Sequence, residues 1–390
     1  MLSGTKKPCL TQRASIHLDM ARGLAALAVL FGHVRALFFV SYHELAHHSF
    51  GLGVVYALTT LGHQAVIVFF VLSGFFIVSS VVGSLEAGHW SWTAYLVNRI
   101  VRLSLVLIPA LIFCFILDHI GMALPSTAAL YHRSVENLIA TSVAHLETFR
   151  NFIGNFFYVQ SILVQPFGSN GPLWSLSYEF WYYILFPMAL CSLARKFRPG
   201  VRIVSFALTV LILVFVGRTI ALYFLIWLLG GAIAVSTVRS RVHVRIAQAT
   251  AHAVAIVPLI CVLGFSVTRP LNSAFITDAI VAIGFALWMY LLVGMPEKPV
   301  GSLYKKTARH LAGFSYTLYL THFPVVFLMR ARILHGEMWQ PDFTHMIYAV
   351  GIALVAIAIA YGIAQVTEAR TTFVRHRVMN LLRPSPQRAS

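Results

Sequence analysis

The sequence predicts an all-α fold, a polytopic integral membrane helix bundle of about ten transmembrane helices with both termini cytoplasmic. Three observations predict it. Hydrophobic residues make up 59% of the 390 positions and charged residues only 11%, against about 25% charged in a soluble domain, and the mean hydropathy is +0.80. The apolar residues gather in runs of about 20, the length that crosses a bilayer as a helix. Lys and Arg collect in alternate connections, the pattern that sets orientation. The formal charge of +17 is therefore read as topology: the expected partner is the lipid bilayer, with no nucleic acid.

In chain order, a polar lead with Lys6, Lys7 and Arg13 precedes a first span at 17–40. That run is too long for a cleavable secretory signal and contains Arg22. A loop with His43, His47 and His48 leads to a second span at 55–82, and a third covers 97–119. Residues 120–171 are the longest polar-leaning stretch, and 145–164 within it reads as aromatic, amphipathic and interfacial or re-entrant. Pro172 suits the first turn of a fourth span at 172–194. Spans at 201–217 and 219–237 are nearly contiguous, with Gly217-Arg218 as their turn, and four more are expected at 249–267, 274–294, 310–331 and 344–366. Cations mark one side: the lead, Arg195 to Arg202, Arg239 to Arg245, Lys298 to Arg309, and the tail from Arg370 to Arg388. The opposite connections hold few, among them Arg35, Arg133 and Arg150. The chain divides into one membrane domain, 1–370, and a basic cytoplasmic tail, 371–390. Cys9, Cys114, Cys191 and Cys261 are far apart, so no metal site and no disulfide framework is expected.

Polar side chains inside the spans need a reason, because Arg at a helix centre costs about 2.5–3.5 kcal/mol on insertion scales. Arg22 and His33 are eleven positions apart, which puts them within about 20° on one helical stripe and about 16 Å apart along it. An imidazole there can accept a proton from a hydroxyl near neutral pH; the plain alternative is a structural His bonded to a neighbouring helix. Arg99 and Arg102, three apart, share a face where two guanidinium forks could grip a phosphate or pyrophosphate; an ordinary cationic flank is the alternative. Glu179, among Trp174, Tyr178, Trp181 and Tyr183, is costly to bury unpaired, and could support His33, bond an acceptor hydroxyl, or pair with an Arg. Ser315 and His322 share a face, and Pro324 weakens their helix at Leu320, which favours structure over direct chemistry. Ser73-Gly74 permits close helix packing. His63, Gln64, Asn155, Gln160 and Asp278 could line an acceptor cleft.

Five motifs, in order, resemble acyltransferase family 3. They are Asp19-x-x-Arg22-Gly23-x-Ala25-Ala26 running on to His33, Phe69-Phe70-Val71-Leu72-Ser73-Gly74-Phe75-Phe76, Arg99-x-x-Arg102, Trp174-Ser175-Leu176-Ser177-x-Glu179-x-x-Tyr182, and Ser315-Tyr316-x-x-Tyr319-x-x-His322-x-Pro324. After the Arg pair the chain departs from the family with Leu103-Ser104-Leu105. The resemblance implies a multi-pass enzyme of the bacterial inner membrane that O-acylates sugars and other envelope acceptors. It implies acyl-CoA, acetyl-CoA first, as co-substrate, no tightly bound cofactor and no metal. The partners would be a saccharide or lipid-linked saccharide acceptor and separate envelope-glycan assembly proteins. On this reading Arg22, Arg99 and Arg102 bind the donor, and His33 with Glu179 activates the acceptor hydroxyl. Asp19, Trp174, Ser315, Tyr316 and His322 support them. Direct transfer and a covalent acyl-His33 step both stay open. A transporter or flippase of an acylated glycan or lipid is the other class, and would predict repeats with broken helices, which the sequence lacks.

Overall fold

The computed structural model describes residues 10–135, 138–139, 141–239, 264, 273–334 and 337–382. All of the expected span at 249–267 except Gly264 lies outside them. The described secondary structure is helical, with three isolated bridge pairs and no strand.

Seven helices among the described residues are long and apolar enough to cross a membrane. They are α1 (Gln12–Phe38), α3 (Gly62–Glu86), α4 (Trp92–Ala123), α9 (Pro199–Arg239), α10 (Ala274–Gly294), α11 (Ser302–Ile333) and α12 (Phe343–Val366), the last continuing through a short 3-10 turn into α13 (Thr371–Leu381). The expected count was about ten. The fourth expected span forms α8 (Trp174–Leu193), a helix whose first half is polar and aromatic. The fifth and sixth lie in α9, which breaks at Gly217 with φ 77° and ψ 171°, a conformation only glycine adopts without strain. The contacts along α8 show that the chain reverses there. Arg202 bonds the Ser192 carbonyl and Phe215 meets Trp181, after which Tyr182 bonds the Ile220 carbonyl and Trp227 meets Phe186. The second expected span is split: α2 (Phe50–Thr59) ends before α3, where the Thr59 and Thr60 hydroxyls donate back to the Val55 and Tyr56 carbonyls (2.8 and 2.7 Å). Such back-bonding bends or ends helices.

The helices start where side chains can satisfy free N–H groups. Thr11, Ser91, Ser273 and Asp342 accept from the third residue onward, at the starts of α1, α4, α10 and α12.

Helix α1 sits between two apolar cores. Ala25 and Val29 pack with α3 and its neighbours, and Ala26 and Leu30 with α11 and α12. It runs parallel to α11, as contacts at successive levels show: His17 with Tyr304 (2.8 Å), Arg22 with the Ala312 carbonyl (3.3 Å), His33 with His322 (2.9 Å) and Arg330 with the Leu37 carbonyl. The end of the bundle where α1 starts is called proximal below, and the other end distal.

The stretch expected as interfacial or re-entrant is built from short pieces: α5 (Pro125–Tyr131), α6 (Val143–Leu146), α7 (Phe149–Phe156) and a turn with positive φ at Tyr158 and Ser161. Buried side-chain amides fasten it. Asn155 donates to the Asn151 and Gln165 carbonyls (2.7 and 2.8 Å), and Gln160 to Leu173 (2.9 Å). Asp118 of α4 accepts the Ser169 N–H at 2.7 Å.

Candidate active site

The distal half of the bundle encloses a cavity of about 1330 Å³. Its lining includes His33, Phe323, Arg35, His63, Arg150 and Trp174, with the segment from Ser161 to Pro166. A second, narrow cavity of about 80 Å³ lies proximal to it, lined by Arg22, Ser73, Arg102, Glu179, Ser315 and Tyr316. Val66 and Tyr319 line both, so the two cavities adjoin at these residues. The Tyr319 hydroxyl is held against the Pro172 carbonyl (3.0 Å) and Ser175 Oγ (2.8 Å).

His33 is fixed from behind. Its Nδ1 lies 2.9 Å from His322 Nε2, with centroids 5.1 Å apart and ring planes only 22° apart, as an in-plane N–H···N bond requires. His322 Nδ1 in turn lies 2.9 Å from the Leu318 carbonyl oxygen. A carbonyl can only accept, so in the neutral pair His322 carries its proton on Nδ1 and presents a bare Nε2. His33 must then donate from Nδ1, which leaves Nε2 of this cavity-lining residue with a free lone pair. The helix carrying His322 is braced at the same level. Pro324 has no N–H for the Leu320 carbonyl, and Asn170 Nδ2 supplies one at 2.7 Å. Phe323 packs edge-on to His33, 4.9 Å between centroids.

The sequence-predicted residues divide between the two cavities. Glu179 does not lie against His33. It accepts from Ser73 Oγ (3.3 Å) and from the Tyr183 hydroxyl, and it lines the narrow cavity. Trp227 Nε1 donates to the same Ser73 at 3.2 Å. The side chain bonded to His33 is that of His322, 289 positions away. Arg22 donates to Asp19 (3.2 Å) and the Ala312 carbonyl, and Arg102 joins it on the narrow cavity. Arg99 does not line that cavity. It donates to Ser80 Oγ (3.2 Å) and its guanidinium lies over the Tyr95 and Tyr183 rings. Ser315 donates to the Ala312 carbonyl and Tyr316 to that of Leu103. Trp174 faces the distal cavity, with its ring 6.2 Å from that of His63.

Two arrangements were missed. His63 Nε2 meets the buried Asp278 carboxylate at 2.8 Å, and Tyr223 donates to the same oxygen at 2.5 Å. A signal existed: Gly32-His33 and Gly62-His63 are twin Gly-His pairs, and a Cβ on Gly32 would stand 3.4 Å from Gly62 Cα, so α1 and α3 cross just where each histidine begins. The other is Glu368, whose carboxylate accepts from the backbone and hydroxyl of Thr317 (3.0 and 2.9 Å) at the proximal end; nothing in its local sequence marks it.

Comparison with curated proteins and with solved structures gives no match. A family model described as an acyltransferase domain matches residues 16–365, nearly the whole chain. With its apolar helices and its cavities arranged around the family's five motifs, the chain belongs to acyltransferase family 3, and is a multi-pass membrane acyltransferase.

Proposed function

We propose that the chain transfers an acyl group, acetyl first, from coenzyme A to a hydroxyl of an envelope or exported saccharide. The donor enters at the proximal, cytoplasmic end of a protein of the bacterial inner membrane, and its phosphates are held by Arg22, Arg99 and Arg102. The acceptor occupies the distal cavity. His33 Nε2 takes the hydroxyl proton, and the oxygen attacks the thioester carbonyl carbon. The C–S bond breaks, and the departing thiolate recovers the proton from the imidazolium. One observation carries this reading: the chain from the Leu318 carbonyl through His322 to His33, which leaves a lone pair on a residue lining the distal cavity, where that cavity adjoins the arginine-lined one. Glu179 acts on the donor side, beside Arg102, with Asp19, Ser315 and Tyr316 lining or bracing the same passage and Trp174 on the acceptor side.

The test uses purified protein in lipid nanodiscs with acetyl-labelled acetyl-CoA, following thiol release and label transfer beside His33→Ala. Thioester consumption that depends on His33 is the expected result. No His33-dependent consumption with acetyl-CoA, nor with succinyl-CoA, overturns the donor assignment.

A further inference from the structure

The distal end of the bundle is where Lys and Arg are scarce, yet two of its few arginines line the cavity. Arg35 stands two residues beyond His33 on α1, and Arg150 stands on α7 across the opening. Among the described residues neither has a carboxylate partner. Arg35 leans on the Tyr56 ring at 5.5 Å, and its Nε is buried without a hydrogen bond. Among the described residues Arg150 donates to the Leu163 carbonyl alone, at 3.3 Å. The described lining adds His33, His63 and His145 and contains no Asp or Glu. The nearby described acids lie outside that lining: Asp278 meets His63 and Tyr223, Glu147 meets His119 at 2.8 Å, and Asp118 accepts the Ser169 N–H. With Arg35 half-buried and Arg150 exposed, and no described carboxylate beside either, this wall can receive negative charge, because Arg binds carboxylate and phosphate through paired N–H donors.

We propose that the distal cavity takes an anionic acceptor, a sugar bearing a phosphate or a carboxylate, with Arg35 and Arg150 holding that group while His33 faces a hydroxyl of the same molecule. The proposal rests on the acceptor reading of this cavity. It specifies the acceptor's charge, which the family leaves open.

The experiment titrates glucose 1-phosphate, glucuronate and glucose into the full chain in nanodiscs, without coenzyme A, at low and fixed ionic strength. At least one anionic sugar is expected to bind about tenfold or more tightly than glucose, a difference of about 1.4 kcal/mol. The preference should shrink as salt is raised. The double variant Arg35→Gln, Arg150→Gln should lose it, whereas Arg35→Lys, Arg150→Lys should keep part of it, which separates lost charge from lost fold. Which anion is preferred tells whether phosphate or carboxylate is read. Equal affinities for the three sugars, no binding of either anion, or a charge preference that survives the Gln variant overturns the proposal. Anion preference without any acetyl-CoA turnover would count against the donor assignment alone.

Discussion

At the scale of single residues, the chemistry turns on which nitrogen of His33 is free. His322 decides that by accepting at Nε2, and the Leu318 carbonyl decides it for His322. His322→Ala should lower turnover by about 10²-fold or more, the size of a general-base contribution, and should also lower the thermal midpoint, because the side chain is fully buried. His322→Gln places an amide oxygen near the lost Nε2 and should recover part of the rate; equal rates for the two variants would remove the tautomer argument. Glu179→Gln separates the donor side from the acceptor side. Because Glu179 is bonded to Ser73 and Tyr183 on the narrow cavity, the substitution should raise the KM for acetyl-CoA more than that for the acceptor, and the reverse pattern would return Glu179 to His33.

At the scale of elements, small residues set the helix crossings. A Cβ on Gly74 would lie 1.9 Å from the Trp227 carbonyl oxygen, and one on Gly230 the same distance from that of Val71. Gly74→Ala should therefore force α3 and α9 apart and destabilise the protein by about 1–3 kcal/mol, as overpacking does. Gly313→Ala meets nothing within 4 Å in α11, and should be neutral or stabilising by up to about 1 kcal/mol through helix propensity. Thermal midpoints in the same detergent compare the two. The expected count of about ten spans is not reached among the described residues. Seven spans were legible from hydropathy because each of these helices contains an apolar window of 18 residues. Residues 120–171 were not, because pieces as short as Val143–Leu146 have no periodicity to read, and their conformation is imposed by Asn155, Gln160 and Asn170 reaching distant carbonyls. The site divides the same way. His33 and Arg102 were legible as polar groups in apolar helices, whereas the His33–His322 pair and the His63–Asp278 pair depend on contacts between helices far apart in sequence. The partners of Glu179 were not legible because a carboxylate's partner is chosen by packing, and here Ser73 and Tyr183 are its hydrogen-bond donors.

At the scale of the whole molecule, the proposed direction of transfer requires the two ends of the bundle to face different compartments. A single cysteine at Thr141, on the distal cavity, should react with a membrane-impermeant maleimide from outside intact cells, and one at Lys305, in the first turn of α11, should react only after the membrane is opened. The opposite pattern would reverse the orientation. The parallel pairing of α1 and α11 has a further consequence. The two imidazoles belong to different helices that run side by side, so their contact is a gauge of axial register. A slip of α11 by one helical turn, about 5.4 Å, would pull His322 off His33 and unset its tautomer, and would carry Ser315, Tyr316, Tyr319 and Phe323 out of the linings of both cavities with it. On the proposed mechanism, alignment of these two neighbouring helices is therefore a condition for turnover.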